Sequence, residues 1–520
     1  MYFTPLKRFW AIALALTTLC HVQAQGRDLL WSAGAEVAAG SGDFVPSYIM
    51  ANRYGTLTQS KSGLVHAAVT LPTDSTKFFS VGAGLELWGG AMSKTTYGRY
   101  STEAGQLLPN PQKPANFWVQ QLYADLKVGI VTFSLGQWQR QTMLVDHELS
   151  SGELIFSNNT RPLPGIEVKT NGFINIPGTK GIFAVRAELG YYKALENKWV
   201  RNHYNYYGEH MGTDWYYNHK FLAFKFRFSK QVSFQIGFQA DCQFGGTINN
   251  YEQGELKSVI HNTVTFKTLL HTLFPNGGGT TWSEQVNLEG NHLGTWNLGL
   301  DYAPRTDLRF RAYYQSPWED GSSIGKFNGF DGLYGIMLRT GKSSGIVTGA
   351  AIEYLDLTNQ SGPLHNEPYA SAEGTILAKH RAGGNDDYYN NFAYNSYTYL
   401  GQLMGSALVK SPIYNTEGQL WITDNRIRAF HAAVTGYFVP EQFSYKLMGK
   451  YVRSWGKYSV PARSVRNLYS LLLQLNYAPA KCKGLNIRAQ FSFDRGDLIP
   501  QTMGATLAVS YTGNLSLNRK

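Results

Sequence analysis

Lys220-Phe221-Leu222-Ala223-Phe224-Lys225-Phe226-Arg227-Phe228 puts Leu222, Phe224, Phe226 and Phe228 at every second position, with Ala223, Lys225 and Arg227 between them. Ser229-Lys230-Gln231 makes a short turn. The chain returns through Val232, Phe234, Ile236, Phe238 and Ala240, alternating with Ser233, Gln235, Gly237, Gln239 and Asp241. A period of two on both arms means paired strands, because successive side chains of a strand point to opposite faces.

The pattern recurs where Leu298, Leu300 and Tyr302 lead through Ala303 to Asp307 into Leu308, Phe310, Ala312 and Tyr314, which alternate with Arg309, Arg311 and Tyr313. It recurs again in Leu471, Leu473, Leu475 and Tyr477. After a turn through Lys481 and Gly484 come Leu485, Ile487, Ala489, Phe491 and Phe493, set against Asn486, Arg488, Gln490, Ser492 and Asp494. The links are unequal: Gly341 to Ser344 is a short turn, Asn359 to Asn395 a long polar one. Short turns on one side and long loops on the other mark an outer-membrane β-barrel rather than a soluble sandwich, and they set the long loops outside the cell.

The start of the chain agrees. Lys7 and Arg8 precede an apolar run from Phe9 to Cys20, and Val22-Gln23-Ala24 is a cleavage signature, so a signal peptide over residues 1–24 is expected to be removed after Ala24. The run is too short to cross a bilayer as a helix, which takes about 20 residues, and no longer one follows. Leu19 before Cys20 argues against a lipoprotein, whose signal has a small residue there. Cleavage lowers the net charge from +11 to +9, since it removes two basic residues and no acidic one. An exported basic protein meets few nucleic acids. The charge either steers anionic glycan or lipopolysaccharide phosphates toward the chain or is a generic basic surface. Cys242 and Cys482 are too few for a disulfide scaffold. An aromatic content of 14% beside a mean hydropathy of −0.27 fits a barrel that hides apolar surface at every second residue and rings both interfaces with aromatics.

At about 9 to 11 residues per membrane strand, the exported chain holds roughly 16 to 18 strands. The expected architecture is a single all-β transmembrane barrel over residues 62–520, preceded by a segment over 25–61. Within that segment Ser47 to Lys61 alternates poorly and reads as short helices or a plug.

No enzyme is expected. Gly321-Ser322-Ser323-Ile324-Gly325 matches a nucleophile elbow, but that motif needs a buried strand turning into a helix, and a polar loop surrounds it here. Twelve histidines show no metal-ligand spacing, so neither metal nor cofactor is expected. Glu319-Asp320 and Asp386-Asp387 are paired carboxylates on loops, whereas a glycosidase pair stands about 5 to 9.5 Å apart across a cleft. Asp386-Asp387-Tyr388-Tyr389-Asn390-Asn391 mixes acids, rings and amides. That mixture suits a sugar, and suits equally an aromatic girdle beside a turn.

Ser157-Asn158-Asn159-Thr160-Arg161-Pro162-Leu163-Pro164-Gly165-Ile166, Glu284 to Gly294, Tyr314 to Ser322, Asp331 to Gly335 and Asp386 to Asn391 keep their order along most of the chain. Together they resemble the Wzi-type capsule-assembly family in its Bacteroidetes form. The resemblance implies a non-enzymatic, monomeric outer-membrane lectin that holds capsular or other surface polysaccharide among lipid and lipopolysaccharide. It makes Asn158, Asn159, Arg161, Glu319, Asp320, Asp386, Asp387, Tyr388, Tyr389, Asn390 and Asn391 candidates for glycan contact or for shaping loops. Asn158, Arg161 and Pro162 serve equally to pin a loop across the lumen. The chain departs from the family twice. Its end, Gly513 to Lys520, lacks a terminal aromatic, which places closure near Ala505 to Tyr511. Only the region around Ser47 to Lys61 is available to replace the N-terminal helical bundle of enterobacterial members. The alternative is a porin, with Lys225, Arg227, Arg309, Arg311 and Arg488 forming a basic pathway for anions.

Overall fold

The computed structural model describes residues 27–275, 288–319, 329–360, 364–366, 380–382 and 386–516. The expected signal peptide, residues 284–287, Asp320 and the 321–325 pentapeptide lie outside them.

Eighteen antiparallel strands form one closed sheet. The first six are β1 (Asp28–Gly40), β2 (Ser62–Leu71), β3 (Phe79–Met92), β4 (Phe117–Val128), β5 (Val131–Gln137) and β6 (Gly165–Thr170, resumed at Ile174–Asn175). Then come β7 (Phe183–Lys193), β8 (Tyr216–Arg227), β9 (Val232–Phe244), β10 (Asn291–Arg305), β11 (Leu308–Trp318) and β12 (Gly332–Thr340). The last six are β13 (Gly349–Asp356), β14 (Ile427–Val439), β15 (Phe443–Gly456), β16 (Pro461–Tyr477), β17 (Leu485–Gly496) and β18 (Thr502–Ser516). Each strand pairs with the next in the chain. β1 closes the ring on β18, in register from Asp28 opposite Ser516 to Gly40 opposite Gly504. Closure leaves no strand edge, and a sheet in lipid cannot have one because its unpaired N–H and C=O groups would find no water.

The barrel therefore begins earlier and ends later than the sequence reading placed it. The 25–61 segment is not a unit ahead of the barrel. It holds β1 and the first long loop, and closure uses the chain to Ser516 rather than stopping near Tyr511. In β1 the outward residues after Trp31 are Ala33, Ala35, Val37 and Ala39, against Ser32, Gly34, Glu36 and Ala38 inside. So many small residues on both faces hide the alternation that bulky ones make plain.

The quoted hairpin is β8 and β9, with Leu222 and Phe224 exposed to lipid while Phe221 and Ala223 are buried on the inner face. Aromatic rings cluster at both rims. At the short-turn end Trp31 stacks on Tyr511 and Tyr302 on Phe310. At the long-loop end Tyr314, Tyr334, Tyr354 and Phe430 follow one another across four adjacent strands, with centroids 4.6, 6.2 and 4.8 Å apart. Between the rims lies an aliphatic belt that includes the cross-strand partners Ile336 and Ile352, each 66% exposed.

Ile336→Arg puts a charge into the middle of that belt. The expected cost is about 2–4 kcal/mol in reversible guanidinium unfolding from phospholipid vesicles. An unchanged midpoint would mean that this face does not meet hydrocarbon.

Candidate functional site

The inner faces of the strands carry polar and charged residues, and the long loops fold inward to meet them. Three segments enter the lumen: 41–61 between β1 and β2, 138–164 between β5 and β6, and 386–426 ahead of β14.

The first holds helix α1 (Ser47–Met50), whose Ser47 donates from N and Oγ to the two carboxylate oxygens of Asp494 at 2.7 and 2.8 Å. Tyr48 bonds His431 at 2.7 Å, and Arg53 pairs with Glu36 on β1 at 2.5 Å. The second is bolted more heavily. Arg140 bridges Glu167 and Glu188 on β6 and β7, at 2.7 Å to Glu188. Arg339 on β12 reaches back to Asp146 at 2.6 Å. Glu353 on β13 accepts from the Ser151 N–H at 2.8 Å, from the Ser150 hydroxyl and from Tyr313. The third packs on the second. Met404 O accepts from Ser157 N at 2.7 Å, and at Gly405 a Cβ would lie 1.9 Å from Leu154 O, so no other residue fits this crossing unchanged. Leu149, Leu154, Ile155, Tyr397, Leu403, Met404 and Ile422 are all fully buried where these loops pack. The lumen at this level has a protein core.

The sequence-predicted candidates belong largely to this plug. Asn158 and Asn159 are buried. Asn158 O accepts from Tyr54 N at 2.7 Å, and Asn159 Nδ2 donates to Leu403 O at 3.0 Å. Arg161 lies over Trp118 at 4.1 Å and donates to Gly55 O, and burial pulls its guanidinium down to about 10. Glu319 accepts from Tyr389 N at 2.8 Å, and Asp386 is buried. Asp387 pairs with Lys457 at 2.6 Å and accepts from Asn390 at 3.0 Å. Asn390 exchanges two bonds of 2.9 Å with the backbone of Ile422, and Asn391 accepts from Ala393 N. Tyr388 and Tyr389 are 0% and 1% exposed. Their rings pack in the core and present no face to a sugar, which corrects the expectation of stacking there. Of the five cations of the expected basic pathway, Arg309, Arg311 and Arg488 stand beside carboxylates, while Arg227 and Lys225 have neutral partners. Arg309 and Arg311 share Asp301, at 2.8 and 2.7 Å, and Arg227 donates to Asn175. Lys225 lies over Phe173, and Arg488 stands 3.6 Å from Glu36.

A surface suited to recognition lies above the plug, where four loops meet. The hairpin Thr95–Ser101/Gln106–Gln112, helix α2 (Asn197–His203) with residues 204–207, the sheet Gly208–Thr213/Gly246–Glu252/Glu255–Asn262 and residues 416–420 are tied by backbone bonds. Tyr100 N donates to Asn205 O, Gly98 N to Thr416 O, Asn205 N to Gly418 O and Gly254 N to Tyr206 O, at 2.7 to 2.9 Å. They assemble a tyrosine crown. Tyr206 and Tyr251 meet edge to face at 4.8 Å, Tyr100 and Tyr207 at 5.1 Å, and Tyr204 lies beneath, fully buried. Arg99 lies over Tyr206 at 5.1 Å, with its Nε buried and without a hydrogen-bond partner. Tyr207 is 53% exposed, and Asn250 and Asn110 lie on the same loops. The sequence reading passed over these residues. Tyr97-Gly98-Arg99-Tyr100 and Tyr204-Asn205-Tyr206-Tyr207 are aromatic clusters off the strand period, and that was the available signal.

Under the crown, His203 stacks on Trp199 at 4.1 Å and meets Tyr97 edge-on. Burial holds its imidazole down to about 4.

No protein-family model and no curated protein matches the chain. Among solved structures it is similar to Wzi, an outer-membrane protein involved in group 1 capsule assembly in Escherichia coli and described as a carbohydrate-binding β-barrel. The TM-score is 0.50 at 11% identity, over 98% of this chain and 88% of that one. The fold is that of an outer-membrane β-barrel. OccAB2 of Acinetobacter baumannii (TM-score 0.46, 9% identity, 94% of this chain and 98% of that one) and OccK5 of Pseudomonas aeruginosa (0.43, 10%, 94% and 98%) are also similar.

Two outcomes follow from this geometry. Arg140→Ala takes from the buried Glu167 and Glu188 the cation they share and leaves them Lys169 and Arg186, so the barrel is expected to lose about 1.5–3 kcal/mol in chemical unfolding and to gain conductance in planar bilayers; wild-type conductance in the variant would show that Arg140 does not hold the plug. Because the folded-state value of His203 lies below the ordinary one, its contribution is complete above about pH 6.5 and is lost as the pH falls toward 4. The difference in emission between wild type and Trp199→Phe should change near pH 4 in the folded barrel, and a change centred near pH 6.5 would show that the imidazole is not buried.

Proposed function

We propose that this chain is a plugged outer-membrane barrel whose extracellular crown binds surface polysaccharide, as the Wzi-type family it resembles does. In this reading the signal peptide leaves after Ala24 and the mature protein acts without catalysis, as a single chain in a lipopolysaccharide-bearing membrane. The observation that carries it is the crown itself: clustered, partly exposed tyrosines with a guanidinium and several amides on the same loops. Aromatic faces cover the C–H surfaces of a sugar while planar donors and acceptors meet its hydroxyls. Each contact is weak, but a polysaccharide repeats its unit, so a released unit is replaced by a tethered neighbour at high local concentration. The packed lumen favours binding over passage, since a channel for glycan needs the space that the three loops occupy.

The test is a strain lacking the gene, complemented with wild type or with Tyr206→Ala/Tyr207→Ala. Two rings at about 0.5–1.5 kcal/mol each predict a loss of roughly 5- to 150-fold in affinity for purified surface glycan, with glycan shed into the medium. Full retention by a variant that folds normally would remove the crown as the site.

A further inference from the structure

On the other side of the plug the lumen holds a cavity of about 480 Å³, within the size range of small-ligand sites. It runs from the underside of α1 toward the short-turn end, where Ser32, Asn486, Ser510 and Thr512 line it close to the ends of their strands. The charges facing it do not balance. Arg53 is taken by Glu36 at 2.5 Å, and Glu148 by Arg339 at 2.8 Å. Lys446, Lys450 and Arg488 remain. Lys446 and Lys450 donate to the backbone oxygens of Glu148 and Ala407, at 3.4 and 3.3 Å, Lys450 also lies over the Tyr48 ring at 4.9 Å, and neither meets a carboxylate at ion-pair distance among the described residues. Arg488 stands 3.6 Å from a carboxylate already bound to Arg53, and its Nε is buried without a hydrogen-bond partner.

These cations share one wall. Lys446 on β15 is opposite Gln474 on β16, which is opposite Gln490 on β17, two residues from Arg488. The remaining lining includes the amides of Gln474, Gln490 and Asn486, serine hydroxyls and the rings of Tyr48 and Trp88, beside His66, His147 and aliphatic side chains such as Ile49, Met448 and Leu472. Three insufficiently compensated cations within low-dielectric walls focus a positive potential into the cavity, and an anion relieves it. We propose that this vestibule binds an acidic saccharide, with Lys446, Lys450 and Arg488 on its anionic group and the amides on its hydroxyls. A carboxylate and a phosphate meet the same cations. The site is separated from the crown by the plug and does not depend on the crown reading.

The experiment is calorimetric titration of the full-length barrel in neutral detergent with D-glucuronate, glucose 6-phosphate and glucose. At least one of the two anions should bind ten-fold or more tightly than glucose and weaken as salt is raised, and the tighter of the two identifies the acidic group. Lys446→Gln/Lys450→Gln and, separately, Arg488→Gln should each cost ten-fold or more for that anion while keeping heat-modifiable migration, and Tyr206→Ala/Tyr207→Ala should leave it unchanged. Equal binding of all three sugars, or full anion affinity in both charge variants, would overturn the proposal.

Discussion

A strand that crosses a membrane turns half its side chains inward, and in this chain those side chains include many Glu, Asp, Arg, Gln and His. Lipid takes the other half without difficulty. The inward half must be hydrated or partnered, because an unpaired buried charge costs several kcal/mol. Here the partners come from the chain itself. Asp494, Glu353, Glu188 and Asp241 each collect two or more hydrogen bonds or ion pairs. The first three receive groups from loops that connect strands elsewhere on the ring or from neighbouring wall residues. The inner wall works as a set of sockets, and the long loops supply the pins.

That arrangement separates two duties. The loops that fill the lumen are fixed by acids, amides and buried rings, so they can form a base of native packing density. The loops above them are then held in place without contributing to closure, and the tyrosines of the crown stand on a rigid platform. Preorganised rings lose less freedom on binding than mobile ones do. Below the base the same loops leave a chamber whose cations are not all matched, because pins reach some sockets and not others.

The sequence made the barrel legible wherever bulky residues alternate. Phe224 against Lys225, or Phe491 against Gln490, leaves no doubt about which face is which. β1 was missed because alanine and glycine occupy both faces, and pairing with β18 decides its fate rather than its own pattern. For the loops the limit is different. Asn158, Asp387 and Tyr389 have the chemistry of a sugar site, but an interior built from loops needs the same amides, acids and rings to satisfy its backbone. Residue type cannot separate the two; burial can. The crown was illegible for a third reason: its four pieces are distant along the chain, and each is only a few residues long.

Closure between β1 and β18 also has a kinetic side. The first strand of the barrel has its partner at the far end of the chain, and Ser47 finds Asp494 across a separation of 447 residues. Contacts so remote carry a large loop-closure cost before they return any stability. Neither the ring nor the plug can be completed until β18 is available, so the barrel cannot close strand by strand from its first strand onward. Its closing pair joins the first and last strands of the ring, and the whole sheet waits on that pair.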